Sequence, residues 1–213
     1  MELFEDRVDA GNQLAGELLA RHVSADLVLG LPRGGVPVAA RVAAALGADL
    51  DIAVIRKIGA PGRPELGVGA MAEDEHPCFD QSNLSWLGLR PSDLAETAAA
   101  EVVELRRRVA LYRGSRPRLP LDGRRVLVVD DGLATGVTAR AALRWARRKE
   151  PAWLGFAAPV SAPDGATLLA SYADRVFLLR RPPSFAAVGA WYRDFSATTD
   201  AEVIDLLRVA VRH

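Results

Sequence analysis

The sequence predicts an α/β fold in which a mainly parallel β-sheet is flanked by helices. Short apolar runs alternate with helical patterns along the chain, which is typical of strands joined by crossover helices. Several runs are apolar at consecutive rather than alternating positions, as strands buried on both faces are. The chain has 213 residues, half of them apolar, and can bury a large core. This length suits one large domain or two small ones, and we expect one domain over residues 1–213.

The individual elements follow from local patterns. Strands are predicted over 26–32, 50–57, 67–73, 124–130, 153–160 and 174–180, and crossover helices over 36–46, 136–149 and 163–172. Residues 92–112 carry apolar side chains at steps of three and four, which predicts a long helix ended by Gly114. Residues 57–66 are rich in Gly and Pro and predict an irregular, mobile loop. An aromatic loop and a short helix from about Thr199 complete the chain.

Composition limits the partners and the compartment. Lys plus Arg equals Asp plus Glu at 27 each, so no overall field favours DNA or an acidic membrane, and phosphate recognition must be local. Cys78 is the only cysteine, which excludes an intrachain disulfide and fits a reducing cytoplasm. The start, MELFEDRVDAG, lacks the pattern of a signal peptide, and no run approaches the ~20 apolar residues of a membrane span. We expect a cytoplasmic protein without DNA or membrane partners.

The most informative stretch is VLVVDDGLATGVT, in which a buried strand ends at Asp130 and Asp131. Strand ends of this kind bind ligands in parallel sheets. The following turn combines flexible glycines, hydroxyl donors and free amides that can wrap a phosphate, at Gly132, Ala134, Thr135, Gly136, Val137 and Thr138. Because carboxylates repel phosphate, the acids must meet sugar hydroxyls or a hydrated divalent cation. The stretch therefore predicts a site for a phosphorylated sugar.

Two other interpretations of this stretch are weaker. A helix cap needs only one acid. A phospho-acceptor receiver domain has its acid pair after the first strand, whereas about half of this chain precedes Asp130.

The same stretch resembles the phosphoribosyl pyrophosphate (PRPP) binding motif of the type I phosphoribosyltransferases. The order of strands and helices fits that family over about 24–180. The resemblance implies a phosphoribosyltransferase-like, Rossmann-like core over those residues and a small hood, formed by the N-terminal segment and residues 181–213. It also implies that Asp130 and Asp131 bind the ribose hydroxyls and assist Mg²⁺, while residues 134–138 cradle the 5′-phosphate.

Two further segments gain a role from the resemblance. The turn LGLPRGGVPVA carries Arg33, Gly34 and Gly35, which by themselves indicate only a tight turn. In the family this loop holds the pyrophosphate, and a cis or strained peptide there would lie around Arg33 and Gly34. Arg56 and Lys57 end the second predicted strand at the same sheet edge and are PRPP-binding candidates. The stretch IRKIGAPGRPEL resembles the flexible lid of the family, with Lys57 and Arg63 as the cations that reach the pyrophosphate. The alternative, stronger for Arg63 than for Lys57, is an exposed basic hairpin.

The acceptor base is less well defined. Enzymes for 6-oxopurines carry an acid in the PRPP turn, where this chain has Ala134, so the turn looks like the adenine type. In that type an acid of the lid can handle the proton of the purine ring instead. Glu65 is the lid acid placed to do so, and the catalytic candidates are therefore Glu65, Arg33 and Lys57. The tail AAVGAWYRDF instead loosely resembles the base site of hypoxanthine and guanine enzymes. Base-binding candidates are Phe185, Val188, Trp191, Tyr192 and Asp194, although terminal aromatics also pack as a simple cover.

The leading hypothesis is a Mg²⁺-dependent phosphoribosyltransferase, a pentosyltransferase of nucleotide salvage. It would transfer the phosphoribosyl group of PRPP to a nitrogenous base, with a purine favoured, and release pyrophosphate. The alternative is a PRPP-sensing regulator on the same fold without transferase activity, and a hydrolase or carrier is a third option. The resemblance also implies a homodimer, for which RNA binding on a basic face stays open.

Overall fold

The computed structural model describes residues 2–209, with the backbone alone at positions 64 and 65. Seven α-helices of this part are α1 (Arg7–Ala20), α2 (Gly35–Leu46), α3 (Gln81–Leu87), α4 (Ala95–Arg113), α5 (Val137–Arg147), α6 (Gly165–Leu169) and α7 (Asp200–Val209). The strands are β1 (Leu27–Gly30), β2 (Asp49–Ile52), β3 (Arg56–Ala60), β4 (Arg63–Met71), β5 (Pro77–Phe79), β6 (Arg125–Val129), β7 (Trp153–Val160) and β8 (Arg175–Arg180).

The main sheet has five parallel strands in the order β2-β1-β6-β7-β8. Its two faces are buried in separate clusters: Val28 and Leu127 face α1, α2, α4 and α7, whereas Leu29 and Val128 face α5 and α6. The predicted α/β fold class, a mainly parallel sheet flanked by helices, is confirmed. Among residues 2–209, no helix is long and apolar enough to cross a membrane.

The strand order reverses between β1 and β6. The first strand pairs with β2 on one side and with β6 on the other, and Gly30 lies level with Val129. In parallel α/β sheets, ligands bind in the crevice at such a switch point, beyond the carboxyl ends of the strands. This places the turns after β1 and β6, at 31–35 and 130–136, on the two sides of one crevice.

Two local predictions are wrong around residues 50–66. The predicted strand over 50–57 ends at Ile52, and the chain leaves the main sheet to start a second, antiparallel sheet of β3, β4 and β5. The predicted irregular loop over 57–66 is the β3–β4 hairpin, which closes at Pro61 and Gly62. Gly62 has φ +70°, as the third residue of a Pro-Gly turn requires. Register shifts on either side of Gly59 let the glycine-rich strands pair.

A buried ion cluster fastens this hairpin sheet to the main sheet. The guanidinium of Arg113, the last residue of α4, donates to both carboxylate oxygens of Asp51 at 2.8 and 2.9 Å. It also donates to Glu73 at 3.0 Å, and Glu73 in turn accepts from the backbone N–H of Val54 at 3.1 Å. The cluster joins the end of α4 to both ends of the segment that leaves the main sheet, residues 53–73. It therefore holds the base of the hairpin beside the crevice.

The N-terminal segment and the tail meet above the main sheet, where the hood is predicted. The backbone N–H of Phe4 donates to the Trp191 carbonyl at 2.9 Å, and that of Arg193 donates to the Phe4 carbonyl at 2.8 Å. The side chains of Phe4 and Tyr192 are buried with Val160 at the end of β7. Of the predicted hood, residues 1 and 210–213 lie outside the described part of the chain.

Candidate active site

The turns after β1 and β6 are in direct contact. A Cβ atom placed on Gly34 would lie 2.0 Å from Oδ2 of Asp131, and one on Gly35 would lie 2.8 Å from the Val129 carbonyl oxygen. Both positions therefore need glycine because no side chain fits between the turns. The peptide between Pro32 and Arg33 is cis, within the turn where sequence analysis placed such a bond.

The acid pair occupies an electrostatically demanding position at this contact. Burial raises the pKa of Asp130 well above its usual range, and the neighbouring negative charge of Asp131 raises it further. Burial also raises the pKa of Asp131, while Arg7 opposes that rise through a hydrogen bond and its positive charge. Two adjacent carboxylates are stabilised by hydroxyl donors or by a cation. Their oxygen atoms are the ligands that Mg²⁺ prefers, so the residues present fit this metal.

The predicted phosphate-binding turn after β6, residues 132–136, leads directly into α5. Its start is held to the sheet by the N–H of Leu133, which donates to the Val160 carbonyl at 2.9 Å. Gly136, in the left-handed region at φ 72°, precedes the first residue of the helix, Val137. The first amides of a helix have no carbonyl partner within that helix and carry the positive end of its dipole. The predicted residues 134–138 therefore form a helix entry that can bind a phosphate.

The predicted cations of the hairpin point in different directions. Arg56 donates from Nε to Glu101 of α4 at 2.7 Å, so its guanidinium is engaged with that helix. Lys57 is exposed, and its charge lowers the pKa of Asp130, which places it on the crevice side. Successive strand residues face opposite sides of a sheet, which explains this division. Arg63 is exposed at the hairpin turn, and the Glu65 side chain lies outside the described part.

Arg33 lies at the edge of the crevice beside the start of α7. Its Nη1 atom is 3.6 Å from Oδ1 of Asp200, a contact between two partly exposed side chains. The same carboxylate oxygen accepts from the hydroxyl of Tyr112 at 2.6 Å. Arg33 thus lies at the crevice, with its guanidinium directed toward an acid of α7.

Two of the predicted base-binding residues contact the acid turn. Val188 packs so closely on Gly132 that a Cβ there would lie 2.4 Å from its Cγ1 atom. Tyr192 is buried, and its hydroxyl donates to the Asp131 carbonyl at 2.5 Å. The Tyr192 ring packs between Phe4 and Phe195, with centroids 5.3 and 5.0 Å apart, so it covers the turn rather than offering a free stacking face.

The other three base candidates have different surroundings. Phe185 and Trp191 are partly buried in the small cluster around Phe4. Asp194 is exposed and accepts from the backbone N–H of Ser196 at 2.8 Å. Val188 and Tyr192 thus contact the acid turn, whereas Asp194 makes a hydrogen bond within the tail.

Sequence reasoning missed Arg7, the first residue of α1. Its Nε atom donates to Oδ2 of Asp131 at 2.8 Å, and its Nη1 atom donates to the Ser196 carbonyl at 2.6 Å. Its guanidinium lies 4.0 Å from the centre of the Phe195 ring. Arg7 stands alone among acids in FEDRVD, but its partner is 124 residues away, so no local pattern reveals the contact.

The order of the main sheet and the crevice at its switch point define a doubly wound α/β protein with a ligand site beyond the strand ends. The family model of the phosphoribosyl transferase domain matches residues 4–192. The chain therefore belongs to the phosphoribosyl transferase family, as the motif around Asp130 and Asp131 predicts.

Similar proteins agree with this assignment. A Mycobacterium tuberculosis protein, provisionally named a phosphoribosyl transferase, is 43% identical over 212 residues; the match covers 100% of this chain and 48% of that protein. The chain thus spans about half the length of the curated relatives it matches. A Thermus thermophilus crystal structure is 42% identical with a TM-score of 0.83, covering 97% of this chain and 98% of that one.

A more distant structure shows the fold alone. A hypothetical protein from Neisseria gonorrhoeae with bound ppGpp is 13% identical with a TM-score of 0.52, covering 98% of this chain and 96% of that one.

Proposed function

We propose that this chain is a Mg²⁺-dependent phosphoribosyltransferase that transfers the phosphoribosyl group of PRPP to a nitrogenous base and releases pyrophosphate. The observation that carries the proposal is the contact between Gly34 and Asp131 at the switch point, where a Cβ would lie 2.0 Å from the carboxylate. This contact places a candidate pyrophosphate turn beside a candidate sugar-binding acid pair. PRPP carries its pyrophosphate and its ribose hydroxyls on neighbouring carbons, so it suits such an arrangement.

Each part of the crevice receives one part of PRPP. The helix entry at 134–138 binds the 5′-phosphate through amides and the hydroxyls of its threonines. Asp130 and Asp131 accept hydrogen bonds from the 2′ and 3′ hydroxyls. Arg33 and the backbone of the following glycines contact the pyrophosphate, and Lys57 approaches it from the hairpin.

The reaction requires little covalent chemistry from the protein. A ring nitrogen of the base attacks C1 of the ribose, the bond from C1 to the pyrophosphate oxygen breaks, and its electron pair leaves with pyrophosphate. The transition state resembles an oxocarbenium ion. The chain orients both reactants, excludes water and places Arg33 and Lys57 near the growing negative charge. Bound Mg²⁺ would neutralise further charge on pyrophosphate, and Asp130 and Asp131 would hold it directly or through water.

A purine is the favoured acceptor. Val188 offers an apolar wall directly beside Gly132, on the hood side of the acid pair. Ala134 replaces the acid that handles the proton in the 6-oxopurine enzymes, and Glu65 of the hairpin is our candidate for taking the nitrogen's proton. In this proposal the enzyme serves nucleotide salvage in the cytoplasm as a homodimer, as is usual for the family.

The proposal is tested by incubating the protein with PRPP, Mg²⁺ and a panel of free bases, followed by mass spectrometry. We expect one nucleotide and an equimolar amount of pyrophosphate with the correct base, and neither with Asp131→Asn. Tight binding of PRPP without conversion of any base would favour the PRPP-sensing regulator instead. Release of free ribose 5-phosphate regardless of the base would indicate a hydrolase.

A further inference from the structure

We propose that Arg7 is a positioning residue, which fixes the Asp131 carboxylate for the ribose and links the state of the hood to PRPP affinity. The inference rests on the proposed function. It starts from the 2.8 Å contact between Nε of Arg7 and Oδ2 of Asp131, in which both side chains are largely buried.

The contact assigns different tasks to the two oxygens of Asp131. Oδ2 faces Arg7 and is also the atom that a Cβ on Gly34 would meet at 2.0 Å. Among the described residues, no side chain donates to Oδ1. The Arg7 bond therefore holds the carboxylate in one rotamer, with Oδ2 against the pyrophosphate turn and Oδ1 left for a ribose hydroxyl.

The position of Arg7 depends in turn on the tail. Its Nη1 atom donates to the Ser196 carbonyl at 2.6 Å, and its guanidinium stacks on the Phe195 ring at 4.0 Å. Tyr192 adds a second link, because its hydroxyl binds the backbone carbonyl of Asp131. Residues 192–196 thus hold Asp131 through its side chain and through its backbone. A tail that shifts to admit the base would carry Arg7 with it.

Substitutions at Arg7 and Phe195 should weaken PRPP binding to different degrees. Arg7→Gln removes the charge-assisted bond, so PRPP affinity in Mg²⁺ should fall by about tenfold or more. Arg7→Lys keeps the charge but loses the planar fork, and should recover part of the affinity. Phe195→Ala removes the stacking surface without touching Asp131, and should weaken PRPP binding by a smaller factor.

Isothermal titration of the full chain with PRPP and Mg²⁺ provides the test, with thermal unfolding of every variant measured alongside. The matched control is Arg193→Gln, which removes another hood guanidinium that pairs with the exposed Glu5 at 2.9 Å. This control should bind PRPP within about twofold of wild type.

The outcomes separate this inference from the proposed function. Absence of PRPP binding by wild type would refute the proposed function. Wild-type binding together with unchanged affinity of Arg7→Gln would refute only the role of Arg7. Equal losses of PRPP affinity in Arg7→Gln and Arg7→Lys, with Phe195→Ala at wild-type affinity, would also refute the positioning role. Arg7 would then only stabilise the fold. If Arg7→Gln fails to fold, the Lys and Phe195 variants decide the question.

Discussion

Gly34→Ala tests the contact between the two turns with the smallest available change. Gly34 has φ −61° and ψ −33°, which alanine adopts without strain. The added methyl would lie 2.0 Å from Oδ2 of Asp131 and 2.9 Å from Nε of Arg7. Any effect must therefore come from the contact rather than from the backbone conformation of the turn.

The size of the effect follows from these distances. Non-bonded carbon atoms pack at about 3.5 Å, so the carboxylate must move by roughly 1 Å or more. A misplacement of about 1 Å in a reacting group can cost about 100-fold in rate, which corresponds to about 2.7 kcal/mol. We expect kcat/KM for PRPP to fall by about that factor in Gly34→Ala.

The assay is steady-state nucleotide formation, with PRPP binding measured by calorimetry. Gly16→Ala is the matched control, because Gly16 lies inside α1 and its Cβ would meet no atom within 4 Å. The control should keep full activity and gain up to about 1 kcal/mol of stability, since alanine favours a helix. Wild-type kinetics for a well-folded Gly34→Ala would refute the close packing of the two turns as a condition for activity.

Three other outcomes follow from the structure. Gly132→Ala should raise KM for the base because its methyl would lie 2.4 Å from Val188. Val188→Ala in that background should recover only part of the affinity, since it relieves the clash but shortens the apolar wall; a base titration checks both. Asp51→Asn leaves the buried guanidinium of Arg113 short of an anion, so urea unfolding should show a loss of about 3 kcal/mol, and an unchanged midpoint would contradict this. Burial and the Asp200 carboxylate raise the pKa of Tyr112 to about 12. The contact of the protonated hydroxyl with Asp200 should therefore stabilise the fold fully below about pH 10, and this stabilisation should be lost as the pH rises toward 12. Tyrosinate absorbance and urea unfolding measured across this pH range check the prediction.

The main sheet could be predicted because its information is local. Each strand is an apolar run buried on both faces, and the crossover helices carry their own periodicity. The acid turn could also be identified, since Asp130, Asp131 and the glycines that follow are contiguous in the sequence. The crevice then follows from the rule that strand ends of a parallel sheet share one edge.

The hairpin could not be predicted in the same way. Gly and Pro usually mark loops, and β3 and β4 exist because their backbones pair with each other across a Pro-Gly turn. Strand alternation would have separated Arg56 from Lys57 once β3 was identified. The Arg7 contact depends on residues 124 positions apart, which only the packing of α1 against the tail brings together.

The most direct measurement of the central claim is calorimetric binding of PRPP in Mg²⁺ to wild type and to Asp131→Asn. The asparagine keeps the size of the side chain but cannot offer a carboxylate to ribose hydroxyls or to a hydrated cation. We predict saturable binding to wild type and a loss of about 100-fold in the variant, with its thermal unfolding still cooperative. No binding to wild type, or equal affinity of a folded Asp131→Asn, would contradict the assignment of this crevice to PRPP.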